Sequence, residues 1–285
     1  MEKYVLLREA VEASLPEGFG SLAVPDRATD GDLETVHTAE YVKRVSNGSL
    51  TAAEIRRTGF PWSPDLVERS RRSVGGTIAA ARAALLDGIS VNLSGGTHHA
   101  FPDRGEGFCV FNDVAVATKV LQREGLARRI GIVDLDVHQG NGTAFIFRDD
   151  PDVFTLSVHG GNNYPFRKKP SNLDLDLPDG AGDDAYLEAT RIGVERVLRC
   201  PGLELIFYLA GSDPHEGDRL GKLSVTKEGL RERDRLVLEA CRESRTPVAI
   251  VMSGGYGADI SDTVDIHLAT VLLAKTVSTG WPRSA

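Results

Sequence analysis

The 285-residue sequence has few cysteines and no long hydrophobic run. Its three cysteines, Cys109, Cys200 and Cys241, are far apart and form no C-x-x-C pair, which excludes a disulfide framework and a cysteine-rich zinc site. We expect each of them to be a small buried hydrophobic residue. The longest apolar stretches, Pro247 to Met252 and Leu268 to Ala274, are far shorter than the roughly 20 residues of a membrane-spanning helix. We therefore expect a soluble protein of a reducing compartment, with no membrane span.

Positive charge is also scarce. With 33 Lys and Arg against 41 Asp and Glu, the net charge of −8 lacks the basic footprint of a general nucleic-acid binder. The N-terminal segment MEKYVLLREAVEASLPEG has acidic residues where a signal peptide needs a basic stretch followed by an unbroken apolar one, so a cytoplasmic location is expected. A composition of 41% hydrophobic and 26% charged residues excludes a disordered chain, a collagen-like fibre and a coiled coil. No repeat or linker divides the chain, which favours one large domain.

Apolar runs of strand length alternate with helical patterns along the chain. The predicted strands are Ser90 to Leu93, Ile130 to Val137, Val153 to Val158, Leu203 to Ala210 and Val248 to Met252. The predicted helices are Leu66 to Leu86, Asp113 to Glu124, Asp184 to Leu198 and Lys227 to Glu243. Such alternation predicts an α/β fold with an open, mostly parallel sheet and helices on both faces. The glycine-rich and charged stretch from Gly160 to Asp184 is predicted to be surface loop.

Ligand sites in open parallel sheets lie beyond the carboxyl ends of the strands, and polar residues follow the second predicted strand. Asp134, Asp136 and His138 recur at every second position, which places them on one face of an extended segment. Asp136 and His138 can then close on one divalent ion with Asp213, which follows the fourth strand. Three protein ligands and one open position are typical of catalytic zinc. His215 is a rival ligand, and a helix N-cap cluster or a magnesium site remains an alternative.

Glycine-rich turns follow two other predicted strands. The segment GGTHHA, 95 to 100, permits the irregular backbone in which both His98 and His99 face a cleft, where two imidazoles suit acid and base roles. In SGGYG, 253 to 257, Tyr256 could donate its hydroxyl proton to a developing oxyanion, and its alternative role is an aromatic packing plug. No phosphate-binding glycine motif occurs after these strands. The remaining histidines are expected to be core residues: His37, His159, His215 and His267.

Taken in chain order, these motifs resemble a zinc-dependent histone deacetylase of the arginase/deacetylase fold. The resemblance covers nearly the whole chain and rests on MEKYVLLREA at the start, VHTAEYV at 36 to 42, GGTHHAFPDRGEGFCVFND at 95 to 113, DLDVHQGNGT at 134 to 143, FTLSVHG at 154 to 160, AGSDPHEGDRLGKLSVT at 210 to 226 and SGGYG at 253 to 257. DRGEGFC, HQGNG, EGDRLG and SGGY look like the class IV branch and its bacterial relatives. The resemblance implies a single catalytic domain over residues 1–285.

The resemblance also implies a metal centre, because residues of this sequence match the positions of the family's metal ligands. Asp136, His138 and Asp213 match the zinc ligands of the family, with one Zn²⁺ per chain. A K⁺ ion beside the zinc is also implied, and Fe²⁺ or Co²⁺ could occupy the zinc ligands instead. The residues that match the potassium site are Asp134, Asp136, His138, Ser157 and Val158.

Catalytic roles follow from the same matches. His99 matches the general base and later acid, His98 its electrostatic partner, and Tyr256 the phenol that polarises the acyl carbonyl. Asp134 is implied to pair with His98 and to raise the pKa of that imidazole. Asn141 stands where class I members have an aspartate facing the other histidine, so His99 should be less basic and suited to accept a proton near neutral pH.

Gly107, Phe108 and Tyr164 match positions that line the acyl-lysine channel, where the rings grip the aliphatic stem. The chain begins where members usually have further residues, so we expect a shortened sheet edge and channel rim, and no rim residue that grips the peptide backbone is assigned.

The implied activity is removal of an acyl group, acetyl or a longer fatty acyl, from lysine side chains in proteins or peptides. Alternatives are a deacylase of acetylpolyamines or other small acylated amines, and a binding module that recognises acyl-lysine without turnover. The complete set of site residues argues against the binding module. A dinuclear manganese hydrolase would need a second set of carboxylate ligands. A long acyl chain would need an apolar pocket beyond the zinc, and the oligomeric state is left open.

Overall fold

Six parallel strands form one open sheet in the computed structural model, which describes residues 2–15 and 22–281. The strands are β1 Ile89–Asn92, β2 Ile130–Asp134, β3 Val153–Gly160, β4 Leu173–Leu177, β5 Leu205–Leu209 and β6 Val248–Val251. The helices are α1 Glu2–Ser14, α2 Asp30–Leu33, α3 Ala39–Asn47, α4 Ala52–Thr58, α5 Pro64–Asp87, α6 Asp113–Glu124, α7 Asn141–Phe147, α8 Asp183–Leu198, α9 Lys227–Ser244 and α10 Ile260–Ser278. Residues 1, 16–21 and 282–285 of the domain expected over 1–285 lie outside the described residues.

The strand order is β1-β6-β5-β2-β3-β4, and every neighbouring pair is parallel. From β2 the chain runs outward to β3 and β4, then returns to β5 on the other side of β2 and continues to β6. This reversal leaves a crevice at the carboxyl ends of β2 and β5, the place where open α/β sheets bind ligands. The predicted fold class is confirmed.

Strand β5 shows why the sheet needs helices on both faces. Its five residues are fully buried, yet they alternate between two cores as the period of a strand requires. Ile206 and Tyr208 belong to the core covered by α1, α8, α9 and α10. Leu205, Phe207 and Leu209 belong to the core covered by α2, α3, α5, α6 and α7. Within residues 2–15 and 22–281, every helix is too short or too polar to cross a bilayer.

Three expectations need correction. The segment 160–184 is not all loop, since it contains β4, an edge strand whose sequence LDLDL alternates apolar and acidic residues. Strand β2 ends at Asp134 instead of Val137, so Asp136 and His138 lie on irregular backbone beyond it. Cys200 is half-buried, whereas the other two free cysteines are buried as expected. The other predicted strands and helices agree with the structure to within two residues at each end.

Candidate active site

Loops at the carboxyl ends of four strands meet around one cavity. Its volume is about 440 Å³. Its lining includes residues 95–99 after β1, 136 and 138 after β2, 213 after β5 and 253, 254 and 256 after β6, together with 107–109 and 162–164. The motifs predicted to follow strands β1, β2, β5 and β6 therefore contribute to the same cavity, because parallel strands bring their carboxyl ends to one edge of the sheet.

The histidine turn after β1 depends on its two glycines. Gly95 and Gly96 have φ of +85° and +80°, the left-handed region that favours glycine. A Cβ on Gly95 would lie 2.5 Å from Asp113 Oδ2, and a Cβ on Gly96 would lie 2.5 Å from Ser253 Cα. The Asp113 carboxylate accepts the N–H groups of Gly96 and Thr97 at 3.0 and 2.7 Å. The expected irregular backbone is thus present, and one buried carboxylate fixes it.

Asp136, His138 and Asp213 lie together as the sequence predicts. Their ligand atoms are within 4.8 Å of one another. His138 Nδ1 lies 3.0 Å from Asp136 Oδ1 and 3.2 Å from Asp213 Oδ2. The second oxygen of each carboxylate is engaged elsewhere: Asp136 Oδ2 accepts from Ser253 Oγ and Gly254 N at 2.7 and 2.8 Å, and Asp213 Oδ1 accepts a backbone N–H at 3.0 Å. One potential ligand atom of each residue therefore remains, and these three atoms face a common point at which a metal ion could bind.

The properties of this triad fit a divalent metal. Asp213 Oδ2 is buried and accepts no hydrogen bond, and burial beside the Asp136 charge raises the pKa of Asp213 to about 7. Burial lowers the pKa of His138, but the two carboxylates outweigh it and raise that pKa to about 10. The pair of carboxylates thus stabilises positive charge at the convergence point. Two carboxylates and one imidazole neutralise Zn²⁺ and leave a coordination position open.

The other histidines lie outside this group. His215, the rival ligand, accepts a hydrogen bond at Nδ1 from the backbone N–H of Gly217 at 3.1 Å. Both ring nitrogens of His37 bond backbone groups, and Nδ1 of His159 lies 3.0 Å from a serine hydroxyl. His267 is buried and neither of its ring nitrogens has a hydrogen-bond partner. Across residues 2–15 and 22–281 a single metal-ligand group occurs, so a dinuclear centre lacks its second ligand set.

His98 is a buried imidazole that lies beside two carboxylates. Its Nδ1 donates to Asp134 Oδ2 at 2.7 Å, and its Nε2 lies 3.8 Å from Asp136 Oδ1. Burial lowers the pKa of His98, but the charges of Asp134 and Asp136 outweigh it and raise the pKa to about 9. The structure therefore contains the Asp134–His98 pair, with the effect on basicity that was expected.

His99 has the opposite character. Its Nδ1 lies 2.8 Å from Asn141 Oδ1, and its Nε2 lies 3.1 Å from His98 Nε2. Burial, together with the charges of His98 and His138, holds the pKa of His99 well below its usual value. The hydrogen bond to the neutral Asn141 amide raises this pKa, but by less than burial and the two neighbouring imidazoles lower it. His99 is thus a neutral imidazole that can accept a proton.

Tyr256 borders the same cavity. Its ring centroid lies 5.6 Å from that of Phe108, and Lys3 Nζ lies 5.3 Å from the Tyr256 ring. The Lys3 ammonium also donates to the carbonyls of Ser253 and Gly255, at 3.3 and 3.2 Å. Burial raises the pKa of the Tyr256 phenol, which keeps the hydroxyl protonated and able to donate. Lys3 therefore holds the tyrosine turn in place, a role that the sequence does not show.

The residues expected to form the substrate channel border the cavity as well. Gly107, Phe108 and Tyr164 all line it, and the Tyr164 ring stands edge-on to His99, with centroids 4.9 Å apart. The Tyr164 hydroxyl donates to Glu106, and burial together with this bond raises the pKa of the phenol. Glu106 is a second residue that sequence reasoning missed.

A model of the histone deacetylase domain matches residues 2–271 of the chain. The chain belongs to the histone deacetylase family. An uncharacterized protein of Picosynechococcus is 51% identical over 252 residues, which cover 88% of this chain and 83% of that protein. The acetoin utilization protein AcuC of Bacillus subtilis is 33% identical over 263 residues, which cover 85% of this chain and 67% of that protein. A solved histone deacetylase homologue in complex with SAHA has a TM-score of 0.79 at 25% identity, covering 97% of this chain and 77% of that one. Membership of this family identifies the chain as a deacetylase, an enzyme of the hydrolase class.

A buried ion pair supports the loop of Asp213, the third candidate metal ligand of this histone deacetylase family member. The guanidinium of Arg233 is fully buried, donates to the Gly211 carbonyl, and bonds Asp234 Oδ1 at 2.8 and 2.9 Å. Tyr208 of β5 also donates to Asp234. Since Gly211 lies two residues before Asp213, the pair fixes the loop that carries this ligand. No local pattern identifies Arg233, which looks like an ordinary charged position of α9.

The five residues matched to a potassium site lie at the same sheet edge. Asp134 at the end of β2 pairs in register with Ser157 of β3, and its Oδ1 accepts the Asp136 N–H at 3.2 Å. The ion itself stays a prediction from the family resemblance.

We expect Gly254→Ala to lose metal affinity while the protein stays folded. A Cβ at this position would lie 1.9 Å from Asp213 Oδ2 and 2.6 Å from Asp136 Oδ2, inside the space between the ligands. Displacing them should weaken metal binding by about 10- to 100-fold. Metal titration of both proteins, with circular dichroism as the check of folding, measures this. Gly31→Ala is the matched control, since its Cβ would meet only Thr29 Oγ1 at 3.9 Å. Unchanged affinity in Gly254→Ala would place the metal elsewhere.

Proposed function

We propose that this deacetylase is a zinc-dependent amidohydrolase that removes an acyl group from the terminal amine of a lysine side chain. The observation that carries the proposal is that the Asp136, His138 and Asp213 triad, the two histidines and Tyr256 all border one cavity. Metal ligands, a neutral base and a phenol donor are the parts that amide hydrolysis requires.

The metal would be held by Asp136, His138 and Asp213, with K⁺ bound by the neighbouring residues of β2 and β3. When bound at the triad, zinc would polarise the acyl carbonyl and lower the pKa of a coordinated water. The proposed location is the reducing cytoplasm, which suits the three free thiols. The class IV-like assignment rests on the four motifs named for it in the sequence.

The protein side chains supply the proton transfers. His99 accepts a proton from the attacking water through Nε2, the nitrogen of its ring that lies beside His98. The charged His98 stabilises the negative charge that develops beside it, and Asp134 holds its ring in place. Tyr256 donates a hydrogen bond to the oxyanion of the tetrahedral intermediate. His99 then returns the proton to the leaving amine, which completes the cycle.

The charge of the cavity lining favours an acylated lysine over a polyamine. The cations that line it are Lys3, Arg57 and Lys222, and the only carboxylates of the described residues in its lining are the ligands Asp136 and Asp213. The cavity therefore repels a substrate with several ammonium groups and suits an acyl-lysine peptide in which the residues beside the lysine are neutral or acidic. A second candidate is a small acylated molecule, because the relative from Bacillus subtilis is named for acetoin utilization.

The length of acyl chain that the site accepts depends on the space near the proposed metal site. A second cavity could provide such space. This cavity, of about 660 Å³, adjoins the first and shares Thr97, Phe108 and Tyr256 with it. Its lining mixes aromatic rings with Arg69 and several serines, so it is not a purely apolar tunnel. A long chain would have to pass the ring pair of Phe108 and Tyr256.

A mass-spectrometric panel tests the proposal. Zinc-loaded protein is incubated with lysine peptides bearing acetyl, butyryl, octanoyl and myristoyl groups and with acetylpolyamines, using Asp136→Asn as the blank. Hydrolysis of acyl-lysine peptides above the blank supports the proposal, and a rate that rises with chain length identifies a fatty deacylase. Turnover of acetylpolyamines alone would favour the alternative function, a deacylase of small acylated amines. No turnover of any member by protein with zinc bound would refute the proposal.

We expect that reversing the charge of two cations in the cavity lining will weaken the binding of acidic peptides and strengthen the binding of polyamines. The double variant Arg57→Glu, Lys222→Glu should raise KM for an acidic acetyl-lysine peptide by about three- to tenfold and lower KM for acetylspermidine, with kcat little changed. The physical reason is that both cations line the cavity but neither contacts the triad. The double variant Lys43→Glu, Arg56→Glu is the matched control, because it also reverses two charges at exposed residues and neither of them lines the cavity. Equal KM changes in both proteins would show that only overall charge matters.

A further inference from the structure

Glu106 is linked to the proposed base, His99, through the side chain of Asn141. Its side chain is 17% exposed. Oε1 accepts a hydrogen bond from Asn141 Nδ2 at 3.2 Å and another from the Tyr164 hydroxyl, and Oε2 lies 3.5 Å from Arg104 Nε. One carboxylate thus joins the partner of His99 to a wall of the substrate channel.

The backbone around Glu106 leaves it little freedom. Its N–H donates to the Cys109 carbonyl at 3.0 Å, and the Cys109 N–H donates back at 2.9 Å. The following residues, Gly107 and Phe108, donate their N–H groups to the last carbonyls of α4, at 3.2 and 2.9 Å. The carboxylate is therefore held at a fixed position relative to Asn141.

The chemistry of these contacts determines which way the Asn141 amide points. A carboxylate only accepts hydrogen bonds, so the atom of Asn141 that faces Glu106 must be the NH₂ group. The amide oxygen then faces His99 Nδ1 at 2.8 Å, and that nitrogen must carry the proton. His99 Nε2 is left with its lone pair, beside His98 Nε2 in the cavity.

The opposite orientation of the amide would disable the base. It would place the amide oxygen against the Glu106 carboxylate and the NH₂ group against His99 Nδ1. His99 would then hold its proton on Nε2 and present no lone pair to the attacking water.

We infer that Glu106 is a positioning residue that fixes the Asn141 amide, and through it the Nδ1-protonated form of His99, while also holding the Tyr164 channel wall. The inference rests on the proposed function, in which His99 is the general base. It also explains why an asparagine suits position 141, since an aspartate there would face the carboxylate of Glu106.

The test is Glu106→Gln, which keeps the size of the side chain but offers both a donor and an acceptor to Asn141. We expect kcat to fall by about 10- to 100-fold, the usual cost of removing a partner that orients a site residue. Tyr164→Phe is the matched variant, because it removes only the hydroxyl bond to Glu106; its KM change measures the contribution of the channel wall. Glu106→Gln should change KM no more than Tyr164→Phe does.

A spectroscopic readout separates positioning from a general loss of structure. In ¹⁵N–¹H spectra of histidine-labelled protein, with His99 assigned through His99→Gln, the wild type should show Nδ1 protonated. Glu106→Gln should move the Nδ1 shift toward the unprotonated value. A double-mutant cycle adds a functional test: Asn141→Asp should lose activity through repulsion from Glu106, and Glu106→Gln should restore part of it.

Wild-type kcat with an unchanged His99 spectrum in Glu106→Gln would overturn the inference, and so would strictly additive losses in the cycle. Failure of the proposed function looks different. If His99→Gln retains turnover, His99 is not the base, whereas the spectrum of Glu106→Gln still reports whether Glu106 sets the tautomer.

Discussion

Tyr256→Phe is expected to lose activity by 10²- to 10³-fold while binding metal as well as the wild type. A loss of this size, about 2.7–4 kcal/mol, is typical when one donor to a tetrahedral oxyanion is removed. The ring of Tyr256 packs against Phe108 and below Lys3, contacts that phenylalanine keeps. Among the hydrogen bonds of the described residues none involves this hydroxyl, so its removal breaks no structural bond. Measured kcat and metal content per chain check the expectation.

Tyr4→Phe is the control for that experiment. Lys3 Nζ lies 5.1 Å from the Tyr4 ring, much as it does from Tyr256, but no proposed step uses the Tyr4 hydroxyl. It should keep kcat within about twofold of the wild type. Turnover of Tyr256→Phe at the rate of this control would remove Tyr256 from the mechanism.

Asp136→Asn should lose both bound metal and turnover. Asp136 Oδ1 accepts the His138 backbone N–H at 2.9 Å and lies 3.0 Å from His138 Nδ1, while Oδ2 accepts from Ser253 and Gly254. An amide of the same shape has only one oxygen, so its NH₂ group must face donors on one side. We expect activity to fall about 10³-fold or more, because the metal chemistry of the site depends on this ligand. Elemental analysis of the purified variant and its turnover number provide the measurement.

Asp150→Asn controls for the loss of one carboxylate charge. Asp150 pairs with Lys119 at 2.6 Å just before β3, at the amino-terminal edge of the sheet. It should retain one metal per chain and most of the activity. Metal binding by Asp136→Asn with the affinity of this control would contradict the assignment of Asp136 as a ligand.

The candidate metal ligands, the two histidines and Tyr256 share one property: each follows the carboxyl end of a strand. The apolar strand runs and the glycine-rich turns locate Asp136, His138, Asp213 and the histidine turn, because parallel strands must bring their ends together, although Asp136 and His138 lie on irregular backbone and not on the extended strand that the period-two pattern predicts. The structure places all of them around one cavity. Their geometry therefore follows from local patterns and one topological rule.

The features that the sequence did not predict depend on contacts across the fold. Lys3 reaches the carbonyls of Ser253 and Gly255, about 250 positions away, and no pattern near Lys3 signals this contact. Arg233 and Glu106 act through residues on other elements in the same way. Strand β4 was missed for a different reason: it is a half-exposed edge strand within a charged, glycine-rich segment, so it lacks the apolar run of a buried strand.

The central claim is that Asp136, His138 and Asp213 hold one catalytic metal ion. The most direct test is a titration of metal-free protein with Zn²⁺ in which bound metal and acetate release from an acetyl-lysine peptide are measured on the same samples. We predict that turnover rises in proportion to bound zinc, reaches its maximum at one ion per chain, and disappears when a chelator removes the ion. Turnover by the metal-free protein, or one tightly bound zinc in Asp136→Asn, would contradict the claim.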